Sequence, residues 1–144
     1  LINLLKITMS KIEQTLSIIK PDAVERNLEN EIKTIFQKNG FKIVKEKKLK
    51  LEKSEAEQFY KVHETKPFYN DLCKYLSSGT IVVMILEKEN AIKSNRELMG
   101  ATDPSKADEG TLRKLFGKSI DKNSVHGSDS SDNAKIEIDF FFKD

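Results

Sequence analysis

At 144 residues the chain has the size of one domain, able to bury a proper core but too short for two. Charged residues make up 33% of it and nearly cancel, for a net charge of +2, which excludes the clustered basic excess of a nucleic-acid binder. The single cysteine, Cys73, excludes an internal disulfide, and no apolar run is long enough to span a membrane, so no membrane association and a cytoplasmic location are expected.

In chain order, residues 1–8 are apolar but lack both a basic lead and a small-residue cleavage pattern. They read as a non-native or upstream extension, with one domain over 9–144. Thr15 to Lys20 is β-branched, short and closed by Pro21, a strand. Leu28, Ile32, Ile35 and Phe36 recur at helical spacing, and Gly40 stops that helix. Phe41 to Leu51 alternates apolar residues with lysines, as a poorly buried strand does. Ser54-Glu-Ala-Glu57 has the form of a capping box and predicts a helix running toward His63. Phe68, Leu72, Tyr75 and Leu76 share the face of a further helix, in which Cys73 reads as a buried thiol.

Ile81 to Leu86 is continuously apolar, which predicts a central strand covered on both faces. Ala91 to Met99 reads as a helix ended by Gly100, and a polar loop runs from there to about Asp108. A last helix is predicted from Ser130 or Ser131 to about Phe141. This order fits the α/β (α+β) class: a ferredoxin-like βαββαβ unit, an antiparallel four-stranded sheet covered by helices, with its two crossover helices on one face. Pattern alone leaves a flavodoxin-like sheet open.

Gly117-Lys118-Ser119 mimics the end of a P-loop. The glycine required five positions earlier is Leu112, however, and no apolar strand feeds the segment. Any nucleotide site must therefore use another architecture. One cysteine and two separated histidines exclude a zinc site.

His126 stands between Val125 and Gly127, followed by Ser128 and Asp129. Gly127 is expected to let the backbone turn sharply just after the ring, so that the imidazole projects into a cleft rather than along a strand. With an unperturbed pKa of about 6.5, the ring is mostly neutral and nucleophilic at pH 7. Such a histidine can accept a phosphoryl group and pass it on. His63, in a Lys/Glu-rich helix end, reads as a bystander, and Asp129 as a helix-start acid.

Asn123-Ser-Val-His126-Gly-Ser-Asp129 resembles the active-site signature of nucleoside diphosphate kinases. Thr15-Leu-Ser-Ile-Ile-Lys20-Pro-Asp-Ala-Val24 resembles that family's first strand and lysine turn. Lys66-Pro-Phe68-Tyr, Arg96-Glu-Leu-Met-Gly100-Ala-Thr102-Asp-Pro104 and Gly110-Thr-Leu-Arg113 resemble its base- and phosphate-binding segments. The blocks follow family order from Gln14 to Phe142, and they decide for the ferredoxin-like sheet.

The resemblance implies transfer of the γ-phosphate of a nucleoside triphosphate to a diphosphate, ping-pong, through a pros-phosphohistidine at His126. Lys20, Arg96 and Arg113 would neutralise the phosphates, with Thr102 and Tyr60 adding hydroxyls. Arginine suits the task because its fork can bind two phosphate oxygens at once. Phe68 would stack on the base, which predicts broad base specificity because every base has a π-face. Asn123 and Lys20 would bond the sugar hydroxyl, Glu137 would orient the imidazole, and Ser128 would support Glu137.

Mg²⁺ would arrive on the nucleotide phosphates, with no direct protein ligand. A homo-oligomer, hexamer or tetramer, is also implied. The rivals are a catalytically silent scaffold of the same fold and a phosphocarrier fed by a protein donor. Every catalytic position is present, against the first; Phe68, Asn123 and Arg96 speak against the second. Ala23 and Asn27 stand where many members have glycine, and Glu109 where many have proline.

Overall fold

The structure, a computed structural model, describes residues 12–143, so the expected extension over residues 1–8 lies outside the described residues. Strand β1 (Ile12–Ile19) starts three residues before the predicted Thr15 and ends one before Lys20, whose extended backbone leads into Pro21. Proline at a first helical position has no N–H to leave unpaired, and it opens a short helix, α1 (Pro21–Glu25), that periodicity did not reveal. Asn27 follows at φ +59°. Asparagine enters the left-handed region more readily than most residues, which explains how it stands where glycine is frequent.

Helix α2 (Glu29–Lys38) buries Ile32 and Phe36 and ends before Gly40, as its spacing predicts. Strand β2 (Lys42–Leu49) is mostly exposed, with a register shift between Ile43 and Lys45. It forms one edge of the sheet, and its lysines keep that edge solvated. Helix α3 (Lys53–Phe59) is capped two residues before the expected Ser54. Its N-cap residue is Glu52, whose N–H donates to the Glu55 carboxylate at 2.9 Å, while Ser54 already lies in the first turn. A 3₁₀ turn (Lys61–His63), rather than a continued helix, leads toward α4 (Tyr69–Leu76).

Strand β3 (Ile81–Glu89) and helix α5 (Ala91–Met99) match their predicted spans closely. The polar loop after Gly100 contains a 3₁₀ turn (Pro104–Lys106) and is followed by α6 (Leu112–Phe116), a helix the pattern did not reveal. Strand β4 (Val125–Gly127) precedes α7 (Ser131–Phe142). Ser130 caps α7 by accepting the Asn133 N–H at 3.1 Å, a bond worth about 1 kcal/mol to the helix.

The sheet order is β2-β3-β1-β4, and every neighbouring pair is antiparallel. That is the ferredoxin-like arrangement; the parallel flavodoxin-like alternative is excluded. Side chains alternate across the sheet, so each strand feeds two cores. On one face Ile19, Val82, Met84 and Leu86 meet Ile32 and Phe36 of α2 and Ala91 and Met99 of α5, the two crossover helices. On the other face Leu16, Ile18, Ile81 and Val83 meet Ala56, Cys73, Leu76 and Phe141. Double coverage accounts for the unbroken apolar run of β3. It also holds β1 and β4, which carry the site, at the middle and edge of a rigid platform.

Candidate active site

His126 lies inside β4, paired with Ile18 of β1, and Gly127 is paired with Ser17. The backbone therefore does not turn after the ring, as the glycine suggested. It turns before it, at Ser124, which has φ +76°. Gly127 serves packing instead: a Cβ there would come within 2.3 Å of Asn95 Nδ2 and 2.8 Å of Met99 Cε, both on α5. Strand alternation then sends the His126 ring to the opposite face, where it meets Phe59 edge-on at 5.4 Å between centroids.

Helix α7 brings Glu137 to that ring. Ala134, Ile138 and Phe141 form its inward stripe, and Glu137 borders the stripe, only 18% exposed at its side chain. Its Oε1 lies 2.9 Å from His126 Nε2 and also accepts the Ser128 hydroxyl at 2.8 Å. Ser128 Oγ in turn accepts the Leu16 N–H at 3.3 Å. A carboxylate on Nε2 favours the tautomer with the proton there, which leaves the lone pair on Nδ1. Among the described residues no hydrogen bond engages Nδ1, the pros nitrogen, so its lone pair is free.

Three cations gather nearby. Lys20 is almost fully buried, and its Nζ donates to Asn123 Oδ1 at 2.9 Å. Burial, reinforced by the Arg113 charge against the opposing pull of Asp22 and Asp121, lowers the Lys20 ammonium to about 8. Arg113 projects from α6, which Thr111 caps by accepting the Lys114 N–H at 3.3 Å. Its Nη1 and Nη2 donate to Gly100 O and Val125 O, each at 3.0 Å, while its buried Nε has no partner. Burial and the like charge of Arg96 lower it to about 10. Cations packed closely enough to depress one another have a standing electrostatic deficit that an anion would relieve.

Two adjoining hollows share Asp129 in their walls. The smaller, about 130 Å³, is lined by Phe59, Tyr60, His63, His126 and Glu137 among others. The larger, about 530 Å³, has Arg96, Gly100, Thr102 and Arg113 in its wall. Asn123 joins the two ends of the site, since its Nδ2 donates to Thr102 O at 3.1 Å while its Oδ1 holds Lys20. Tyr60 is buried, and burial together with the Glu137 charge raises its phenol so that it stays protonated. Phe68 is 48% exposed, with its ring 5.9 Å from that of His63 and the Lys66 ammonium 5.7 Å above it.

The two hollows thus bring Tyr60, Arg96, Thr102, Arg113, His126 and Glu137 together, while Ser128 bonds Glu137, Lys20 and Asn123 bond each other next to Thr102, and Phe68 meets the site through His63. His63 was not expected there: its ring lies between those of Tyr60 and Phe68, and it lines the same hollow as His126. Burial and the Lys66 charge lower its pKa, so His63 stands neutral in the cleft at pH 7. The 3₁₀ turn that carries it there has no sequence signature of its own. Asp129, besides accepting from Asn133 Nδ2 at 2.6 Å at the start of α7, borders both hollows. A further hollow of about 810 Å³ lies elsewhere, around Asp22, Tyr75 and Lys122.

A family model described as nucleoside diphosphate kinase matches residues 13–144. The nucleoside diphosphate kinase of Persephonella marina is 58% identical over 131 residues, covering 91% of this chain and 94% of its own. That of Granulibacter bethesdensis is 57% identical with the same coverage. Among solved structures, Aquifex aeolicus nucleoside diphosphate kinase superposes with a TM-score of 0.90 at 39% identity, over 92% of this chain and 96% of that one. With matched sequence, matched fold and a histidine–glutamate pair beside clustered cations, the chain belongs to the nucleoside diphosphate kinase family.

Proposed function

We propose that the chain is a nucleoside diphosphate kinase that moves the γ-phosphate of a nucleoside triphosphate to another nucleoside diphosphate through His126. The observation that carries this reading is the Glu137–His126 Nε2 contact of 2.9 Å, which leaves Nδ1 free on a ring that lines the hollow adjoining the cationic one. Nδ1 attacks the γ-phosphorus, the N–P bond forms, and the bond to the β-phosphate oxygen breaks. The first diphosphate departs and a second takes the phosphoryl group by the reverse step, returning the lone pair to Nδ1.

Arg96, Arg113 and Thr102 bind the phosphates, and the Tyr60 phenol donates toward the moving group. Phosphoryl transfer needs mainly such positioning and charge neutralisation. Lys20 and Asn123 hold the sugar hydroxyl, and Phe68 offers its exposed face to the base. Glu137, steadied by Ser128, fixes the tautomer and stabilises positive charge as it develops on the ring. The substrate is the Mg²⁺ complex of the nucleotide. Among the described residues no three His, Cys, Asp or Glu side chains gather to hold a metal, and a donor set of cations suits phosphates that bring their own ion. When bound, the ion shares the phosphate charge with the arginines.

No helix among the described residues is long and apolar enough to cross a membrane. The enzyme works in the cytoplasm as a homo-oligomer, hexamer or tetramer; the family membership supports both statements.

Initial rates with varied donor and acceptor are expected to give parallel reciprocal plots, the ping-pong pattern. ADP, GDP, CDP and UDP should all serve within a modest range of rates. Intersecting lines would mean direct transfer between two bound nucleotides. A preference of about 10⁴ or more for one base would mean that its edge is read by buried hydrogen bonds, against stacking on Phe68.

The Lys20 ammonium supplies a further expectation. Its charge is present below about pH 8 and is lost above it, so kcat/KM is expected to fall above pH 8 along a single ionisation. Bound phosphates stabilise the ammonium, so kcat should fall only at higher pH. A kcat/KM profile that stays flat to pH 9.5 would remove Lys20 from the binding site.

A further inference from the structure

A buried carboxylate that the phosphoryl transfer does not use lies behind the sugar end of the site. Asp22, in α1, is 5% exposed. One of its oxygens accepts the Tyr75 hydroxyl; the other accepts the Ser124 hydroxyl at 2.7 Å and Arg26 Nη2 at 3.1 Å. The Asp22 N–H donates back to Tyr75 Oη at 2.8 Å. Arg26 extends the cluster, with Nη2 donating to Ser124 Oγ at 3.2 Å and to Phe116 O at 2.6 Å.

These bonds converge on a residue in an unfavourable conformation. Ser124 is fully buried at φ +76°, a region that a serine rarely adopts unless its surroundings impose it. Its neighbours hold the rest of the site in register. The Ser124 carbonyl accepts the Lys20 N–H at 2.8 Å. Before it, Asn123 links Lys20 to Thr102; after it, Val125 O holds Arg113. Nothing intrinsic to the sequence 123–125 sustains that turn.

We propose that Asp22 is a positioning residue. Anchored by Tyr75 and Arg26, its carboxylate locks Ser124 in the left-handed conformation and thereby presents the Asn123 amide to the sugar hydroxyl. The proposal rests on the reading that Lys20 and Asn123 hold that hydroxyl. Substrate preference therefore reports on it in a way that general loss of stability does not.

The test compares a ribonucleoside diphosphate with its 2′,3′-dideoxy analogue as phosphate acceptors. Asp22→Ala is expected to lower kcat/KM about tenfold for the ribonucleotide and far less for the analogue. Asp22→Asn keeps an oxygen for the Ser124 hydroxyl and should retain most of the preference. Ser124→Gly, which tolerates positive φ without the clamp, should retain more of it than Ser124→Ala. This second pair carries the test even where Asp22→Ala fails to fold. Equal losses on both acceptors, or a full preference in Asp22→Ala while Asn123→Ala loses it, would overturn the positioning role alone. A full preference in Asn123→Ala would overturn the sugar reading, and this proposal with it.

Discussion

Replacing His126 with alanine is expected to abolish labelling by a γ-labelled nucleoside triphosphate and to lower turnover by roughly 10⁴-fold or more, because no other group offers the covalent route. The experiment needs its partner, His63→Ala. Both imidazoles border the same hollow, and the lowered pKa of His63 leaves it neutral, so position in the cleft does not choose between them. Hydrogen bonding does. His126 has a carboxylate on Nε2, able to stabilise the positive charge that the ring gains as Nδ1 takes up the phosphoryl group, and its strand pairing with Ile18 fixes where the ring stands. Among the described residues His63 has a buried Nδ1 without a hydrogen-bond partner, and its ring rests against Tyr60 and Phe68. His63→Ala is therefore expected to retain acid-labile, base-stable label that a diphosphate can chase, with activity reduced only as far as the aromatic packing loosens. Label surviving in His126→Ala and vanishing in His63→Ala would reverse the assignment.

Local patterns carried much of the fold. β3, α2 and α5 are legible because their apolar spacing matches their burial, and the start of α7 falls at the expected Ser131, where the structure adds the Ser130 cap. The short helices α1 and α6 escaped because five residues hold too little periodicity to read. The cap of α3 was misplaced since Glu52 and Ser54 compete for the same role within one turn, and the chain uses the earlier residue.

At the site, residue types are legible from the residues themselves, whereas the pairing of Glu137 with His126 and Ser128 is implied only by the family resemblance. Lys20 meets Asn123, and Asp22 meets Ser124, across about a hundred residues, contacts made by β1 pairing with β4 and invisible to any spacing rule. Gly127 shows the same limit. A glycine beside a candidate nucleophile signals a constrained backbone, but only packing against Asn95 and Met99 reveals that the constraint is close approach within a strand. His63 was set aside on its charged neighbours, when the turn after α3 is what decides where its ring goes.

Orientation and charge separate in a second pair of variants, Glu137→Gln and Arg113→Ala. Glu137 touches the ring and no cation of the larger hollow, so a glutamine there should leave diphosphate affinity nearly unchanged. It would slow single-turnover phosphorylation of His126, because a neutral amide stabilises the developing imidazolium less than a carboxylate does. Arg113 differs on both counts. Its charge meets the phosphates in the ground state and in the transition state, and its two carbonyl contacts tie the Gly100 loop to β4. Arg113→Ala is therefore expected to weaken diphosphate binding and slow transfer together, lowering kcat/KM by roughly 10²–10³-fold. Arg113→Lys, which keeps a charge but not the fork that grips both carbonyls, should fall between wild type and alanine. Equilibrium titration and rapid-quench phosphorylation, measured separately on each variant, read the two effects apart. Should Glu137→Gln lose affinity yet phosphorylate at the normal rate once saturated, Glu137 is a helix acid that shapes the cleft and does not orient the nucleophile. Should Arg113→Ala bind diphosphate normally, the cationic hollow is not where the phosphates sit.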